Sequence, residues 1–252
     1  MSLAEFEFCE KSSSIKIKGD NFNLENLSSF LSLLTKISNN KKIQNIKIFG
    51  NFKSFFTSKK KFLSNQEKSI LNNSLMLFQS LTKVIENSPI NFTCHLNGLV
   101  QGPALELALA CDYIKADKDA HFKFKEVDNG LMFIFGSIQK LLRKIGYKNT
   151  LELLLFKKEL TYQEAIDFKL INRKKNIPFY HQKENIFWDQ HFTNTFIYYN
   201  SKVHAKTKNL LPAYNAILSS IFEGCLCGYE ASLSIEKKWA QWLLNQNHSI
   251  KN

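Results

Sequence analysis

Between Ile43 and Phe124 the chain changes hydrophobic period several times, and this alternation limits the folds open to it more than any other feature. Ile43 to Phe49 is an apolar-rich run of strand length ending at Gly50. From Asn65 to Glu86, residues Ile70, Leu71, Leu75, Phe78, Leu81 and Ile85 recur at three- and four-residue steps, the spacing of one buried helical stripe. Ser64-Asn65-Gln66-Glu67 supplies a capping box at its start, and Pro89 stands beyond its end. Strand-like Asn91 to Leu96, a short buried helix from Pro103 to Cys111, and strand-like Tyr113 to Ala116 and His121 to Phe124 follow. This alternation predicts βαβ units with right-handed crossovers, hence an α/β architecture rather than a helical bundle or a sandwich.

Beyond Gly136 the pattern turns helical. Ser137 to Ile145 and Thr150 to Phe156 read as helices, and Thr161-Tyr162-Gln163-Glu164 is a capping box opening another. From about Phe187 the chain is helical again. Two helices there carry Tyr214, Ile217, Leu218 and Ile221, then Leu233, Trp239, Trp242 and Leu243. So many large apolar residues predict packing on the protein's own core or on a neighbouring subunit.

Charge and cysteine content narrow the function classes. Lys and Arg total 34 against 22 acidic residues, a formal net charge of +12, yet the only arginines are Arg143 and Arg173. Base and phosphate readers lean on Arg. Lys, Asn, Ile and Phe share AT-rich codons, so the excess reads as compositional bias on a solvated surface and disfavours a nucleic-acid partner. Five scattered cysteines, Cys9, Cys94, Cys111, Cys225 and Cys227, fit reduced thiols in a cytoplasmic setting. Cys225-Leu226-Cys227 is too closely spaced for the usual zinc pair, so no metal site is expected. No apolar run approaches the ~18 residues of a membrane span. Glycine is scarce, nine residues where ordinary usage gives about eighteen.

The chemistry concentrates between Leu96 and Gly130. In the apolar segment from Pro103 to Cys111, Glu106 is the sole charge. It reads either as a dipole-satisfying or salt-bridged residue or as a buried carboxylate suited to acid–base work. Glu126 follows the strand at His121 and returns a second carboxylate to the same sheet edge. Two carboxyls flanking a substrate allow one to transfer a proton while the other holds or activates water.

This segment resembles the crotonase family, the enoyl-CoA hydratase/isomerase superfamily. The resemblance rests on Asn97-Gly98, Gly102, Glu106 to Asp112, Ala116, Ala120-His121-Phe122, Glu126, Gly130, Gln139, Leu142, Ile145-Gly146, Leu151 to Leu155, Glu164-Ala165 and Leu170-Ile171-Asn172. It covers about Ile43 to Asn172. Glu236 to Ile250 also resembles the family's trimerisation helices, and Glu7 to Ser38 fits as a shortened first strand and helix. The resemblance implies a spiral of ββα units over residues 1–186 and a helical oligomerisation region over 187–252, assembled as a homo-trimer or hexamer. It implies an acyl-CoA thioester substrate, with coenzyme A as part of the substrate and no separate cofactor. Glu106 and Glu126 match the two glutamates that position and activate water in the hydratases.

The departures matter equally. The family's first oxyanion donor lies in a small-residue loop; here the run is Phe55-Phe56-Thr57-Ser58-Lys59-Lys60-Lys61, which makes the Lys59 amide the donor. Thr57, Lys60 and Lys61 fall where the family's loop runs beside CoA, whose phosphates suit Lys as point charges; a solvated lysine run is the competing reading. The second donor is a glycine amide in the family, flanked here by Gly102 and Ala104, and its place is taken by Pro103. Proline has no N–H to donate, though it is favoured at the first helical position. The Ala104 amide is the nearest replacement. Phe133-Ile134-Phe135-Gly136 replaces a Pro-Gly-rich turn, and its aromatics are expected to narrow the acyl pocket. Two functions stay open: a hydratase-like lyase or related isomerase, and a crotonase-fold acyl-CoA-binding or assembly protein impaired in catalysis by Pro103.

Overall fold

The structure, a computed structural model, describes residues 4–8, 13–18, 24–50, 65–133, 135–171 and 189–246, and for 65–68, 70–72 and 75 it describes the backbone only. Its elements run β1 (Ala4–Glu7), β2 (Ser13–Ile17), α1 (Leu24–Ser38), β3 (Asn45–Gly50), α2 (Asn65–Asn87), β4 (Asn91–Leu96), β5 (Leu99–Gln101), α3 (Pro103–Ala110), β6 (Tyr113–Ala116) and β7 (His121–Lys123). A 3-10 turn (Glu126–Asn129) is followed by α4 (Ser137–Ile145), α5 (Tyr147–Glu152), a π-helical turn (Leu153–Lys157), β8 (Glu159–Thr161) and α6 (Tyr162–Asp167). The C-terminal helices are α7 (Gln190–Thr207), α8 (Pro212–Cys225) and α9 (Tyr229–Asn245).

Two sheets organise these elements. The larger has the order β1-β2-β3-β4-β6, parallel except for the β1–β2 pair; the smaller has the order β5-β7-β8, with β5 and β7 parallel and β8 antiparallel. Consecutive strands therefore alternate between sheets: β4 joins the large one and β5 the small, then β6 the large and β7 the small. That repetition is the ββα spiral. Its core takes the alternating inward residues of each large-sheet strand, such as Ile46 and Ile48 of β3 and Phe92, Cys94 and Leu96 of β4. Helix α3 is buried at all eight positions and packs against α2, α4, β5 and β6. A helix apolar all round belongs in the interior, so the lone carboxylate of Glu106 is carried inside with it.

Most sequence expectations meet their elements. β4, β6 and α4 begin and end as read, and Phe78, Leu81 and Ile85 form the buried stripe of α2. The Thr161–Glu164 capping box is formed: the Thr161 N–H donates to Glu164 Oε2 at 2.8 Å, and the Glu164 N–H donates to Thr161 Oγ1 at 3.3 Å. The Ser64 box lies outside the described residues. Two readings need correction. The Asn97–Gly102 connection contains β5, which its pairing with β7 creates. The single helix expected from Thr150 to Phe156 is α5 running into a π turn, closed by Lys158 at φ 60°. The C-terminal region is helical as read: α7 opens it, and α8 and α9 are the two helices that carry the large apolar residues. Among the described residues, no helix is long and apolar enough to cross a membrane.

Candidate active site

Glu106 stands one turn into α3. The helix is entered through Gly102 at φ 56° and ψ −139°, a conformation glycine adopts without strain, and Pro103 takes the first helical position. Sequence and backbone agree here, because a residue with a Cβ at positive φ before proline is disfavoured on both counts. The same entry leaves the start of α3 short of one amide. Pro103 presents none, so Ala104 is the first residue able to offer an N–H there.

The Glu106 side chain is 2% exposed, and its Oε2 accepts the Phe135 N–H at 2.9 Å and the Ser137 hydroxyl at 2.6 Å. Both donors come from the turn that opens α4. Hydrogen bonds donated to the charged form favour a carboxylate. The carboxyl is buried, as one of the two sequence readings has it, and its donors are a backbone amide and a hydroxyl.

Glu126 lies in the 3-10 turn after β7, close enough to Glu106 for the two charges to interact. Burial, reinforced by the Glu106 charge, pushes its carboxyl up to about 8, partly opposed by its own amide and that of Gly102. Its Oε2 is sealed from solvent and has no hydrogen-bond partner among the described residues. The pair is thus asymmetric: one carboxyl is held by two donors on a single oxygen, the other is desolvated with an oxygen unpaired. Environments that push two titratable groups apart assign acid and base roles.

Other sequence candidates divide. Gly102, Pro103 and Ala104 sit at the start of α3, and the Gly102 amide already faces the Glu126 carboxylate. Thr57, Lys59, Lys60 and Lys61 lie outside the described residues. Phe133 and Phe135 are both buried; Phe133 tilts against Phe124 at 5.8 Å, and Phe135 stacks on Phe78 of α2 at 4.1 Å. Both rings are thus packed into the core beside the turn that opens α4.

Four residues around the α4 turn escaped the sequence reading. Ser137 holds Glu106. Lys140, 1% exposed, donates to the Phe135 carbonyl at 3.0 Å and pairs with Glu86 of α2 at 2.9 Å. Glu236 of α9, 0% exposed, accepts the Gln139 N–H at 3.0 Å and the Ile138 N–H at 3.4 Å, capping α4 from another element. Burial pushes Glu236 up to about 8, with the Glu106 charge adding to the effect. A cavity of about 140 Å³ opens behind this turn, between α2, α4 and α9, with Glu86, Phe135, Gly136 and Lys140 in its wall. The only local signal was Gln139 and Lys140 beside the apolar Ile138, Leu141 and Leu142.

Residues 16–178 match the enoyl-CoA hydratase/isomerase family. A probable enoyl-CoA hydratase of Bacillus subtilis (strain 168) is 32% identical over 117 residues, 46% of this chain and 43% of that protein. The mitochondrial Delta(3,5)-Delta(2,4)-dienoyl-CoA isomerase of Mus musculus is 32% identical over 104 residues, 41% of this chain and 32% of the isomerase. The matched stretch thus spans less than half the length of either relative. Among solved structures, an enoyl-CoA hydratase from Bacillus halodurans superposes with a TM-score of 0.65 at 22% identity, covering 97% of this chain and 96% of that one, which establishes the fold. With the β-strand alternation and the match over 16–178 in agreement, the chain belongs to the enoyl-CoA hydratase/isomerase family.

Proposed function

We propose that this protein is an enoyl-CoA hydratase-like lyase, or a related enoyl-CoA isomerase, in which Glu106 and Glu126 form the acid–base pair. The observation that supports this reading most is the opposite setting of the two carboxyls. At neutral pH Glu126, pushed up to about 8, holds its proton. Glu106, with two donors on Oε2, is the carboxylate. In hydration Glu106 takes a proton from water as the water oxygen bonds to the β-carbon of the enoyl thioester. Glu126 gives its proton to the α-carbon. Return of the proton from Glu106 to Glu126 through solvent resets the pair, and one water has been added. Both transfers fall to carboxyls, so the reading calls for no metal or nucleotide. The electron pair passing through the thioester oxygen needs amide donors; Ala104 at the positive end of α3 supplies one, and the Lys59 amide is the sequence candidate for the other. Lys60, Lys61 and Thr57 are proposed contacts to CoA. The same reading carries the expectation of a cytoplasmic homo-trimer or hexamer.

The test is to mix purified protein with crotonyl-CoA and follow loss of the conjugated-thioester absorbance, with Glu126→Gln in parallel. Wild-type loss at a rate indistinguishable from Glu126→Gln overturns the hydratase reading. A rise in absorbance from a 3-enoyl-CoA, without loss from crotonyl-CoA, selects the isomerase. A second reading, an acyl-CoA-binding or assembly protein with little catalysis, is favoured by Pro103 alone. CoA-ester binding with neither absorbance change supports it.

A further inference from the structure

Lysine is almost never fully buried unless paired, and a buried ion pair stabilises a fold no better than well-packed apolar groups. Lys140 and Glu86 are 1% and 7% exposed, and they sit 2.9 Å apart. The contact is an ion pair by distance, with no aligned hydrogen bond on Glu86 Oε1; Glu86 Oε2 accepts the Tyr229 hydroxyl at 3.0 Å. What the pair holds is the turn before α4. Lys140 Nζ donates to the Phe135 carbonyl at 3.0 Å, while the amide of the same residue donates to Glu106. Gly136 turns the chain at φ 85°, and a Cβ there would lie 2.7 Å from Leu233 Cδ2 and 3.3 Å from Lys140 Nζ, so a side chain here would crowd both. Ser137 then delivers its hydroxyl to Glu106.

We infer that Lys140 and Glu86 are positioning residues for Glu106: through the Phe135 carbonyl, the pair fixes the turn whose Phe135 amide and Ser137 hydroxyl hold the Glu106 carboxylate. The inference rests on the hydratase reading for its kinetic consequence but not for its structural one. The titratable groups facing Glu106 are Glu126 from the 3-10 turn and Glu236 from α9, both pushed up to about 8 by burial, with Lys140 and Glu86 behind the turn. The donors on Glu106 come from the turn, and their aim depends on it. Releasing the turn disfavours the carboxylate.

The decisive variants are Lys140→Met, which keeps length and removes charge, and Lys140→Arg as the conservative control. With crotonyl-CoA, Lys140→Met lowers kcat between ~10- and ~100-fold, the effect of a displaced reacting group, with KM little changed. The acid limb of its kcat/KM profile moves to higher pH, and Lys140→Arg restores much of kcat. Lys140→Ala extends the cavity by the missing side chain, so added propylammonium restores activity and neutral 1-butanol does not. A kcat and pH profile identical to wild type in folded Lys140→Met overturns the inference, as does equal rescue by amine and alcohol. Should Lys140→Met not fold, Glu86→Gln, which keeps every contact but the charge, carries the same expectation. A wild type inactive on every enoyl-CoA would sink the hydratase reading alone. The positioning is then read by carbon-13 NMR of glutamate-labelled protein, the Glu106 signal being assigned with Glu106→Gln. A Glu106 titration moved to higher pH in Lys140→Met supports the inference, and an unmoved one ends it.

Discussion

Replacing Glu126 by Gln removes a proton site while keeping the shape of the side chain, and it carries opposite expectations for activity and stability. Burial pushes Glu126 up to about 8, whereas an unfolded glutamate titrates near ~4.3. Between those values the folded chain binds the proton and the unfolded chain does not, so stability falls as pH rises through that window. At ~1.4 kcal/mol per pH unit and group, going from about pH 5 to about pH 8 costs at most ~4 kcal/mol for Glu126, less after discounting for its partial exposure. Glu236, fully buried and also pushed up to about 8, carries the same ceiling. Glu126→Gln should therefore lose at least ~100-fold in hydration rate, as expected for a removed acid–base group, yet unfold at higher urea than wild type near pH 8. Its stability loss across the window should shrink to the part Glu236 owns. Urea melts at several pH values across this range, read by circular dichroism beside the crotonyl-CoA assay, measure both. A wild-type midpoint flat across the range, or an unchanged pH slope in Glu126→Gln, would falsify the claim that Glu126 is held protonated by burial.

Three further outcomes are expected. Pro103→Gly returns an amide to the start of α3 and should raise hydration by ~100- to 1000-fold, the worth of one oxyanion donor, at ~1 kcal/mol of stability from the freer unfolded chain; an unchanged rate would clear Pro103 of limiting catalysis. Phe135→Ala removes a ring that is 3% exposed and stacked on Phe78 at 4.1 Å. It should cost ~3–5 kcal/mol in a urea melt, while kcat/KM for longer enoyl-CoA chains gains on crotonyl-CoA if the ring closes the acyl side. Thr161→Ala deletes the acceptor for the Glu164 N–H and should lower stability by ~1 kcal/mol, with no effect on the rate.

Local pattern carried the elements that need no distant partner. β4 and β6 are short apolar runs bounded by turn residues, and α4 starts after a glycine, so their ends could be read from the residues themselves. β5 has three residues and exists because β7 pairs with it, which no local period encodes. The π turn at Leu153–Lys157 keeps a helical hydrophobic pattern and differs only in its backbone bonding. At the site, Glu106 was legible because a lone charge in an apolar helix has nowhere to go but inward, and Glu126 because it follows a strand of the same unit. Glu236, Glu86 and Lys140 were illegible for the converse reason. Glu236 is followed by Lys237 and Lys238 and looks like a solvated helix face; its burial comes from α9 closing over α4, 98 residues away from Ile138 in sequence.

The scarcity of glycine takes its meaning from where glycine was kept. Of nine glycines, all but Gly19 are described, and six have positive φ. Two of these bracket the carboxyl pair: Gly102 at φ 56° opens α3 and turns its amide toward Glu126, and Gly136 at φ 85° lets Lys140 approach the turn that holds Glu106. Glycine is absent at Pro103, where the resemblance calls for a glycine amide, and the run from Phe133 to Gly136 stands in place of a Pro-Gly-rich turn. At Pro103 the amide itself is gone; at Phe135 it is retained and spent on Glu106. The departures therefore fall unequally on the two halves of the proposed reaction. The proton-transfer half keeps both carboxyls, one of them held by Ser137 and by the turn that the Lys140–Glu86 pair contacts. The oxyanion half loses a donor. On this division, Pro103→Gly should raise the rate without moving the pH limbs, whereas Lys140→Met should move a limb, and each variant tests the half that the other leaves intact.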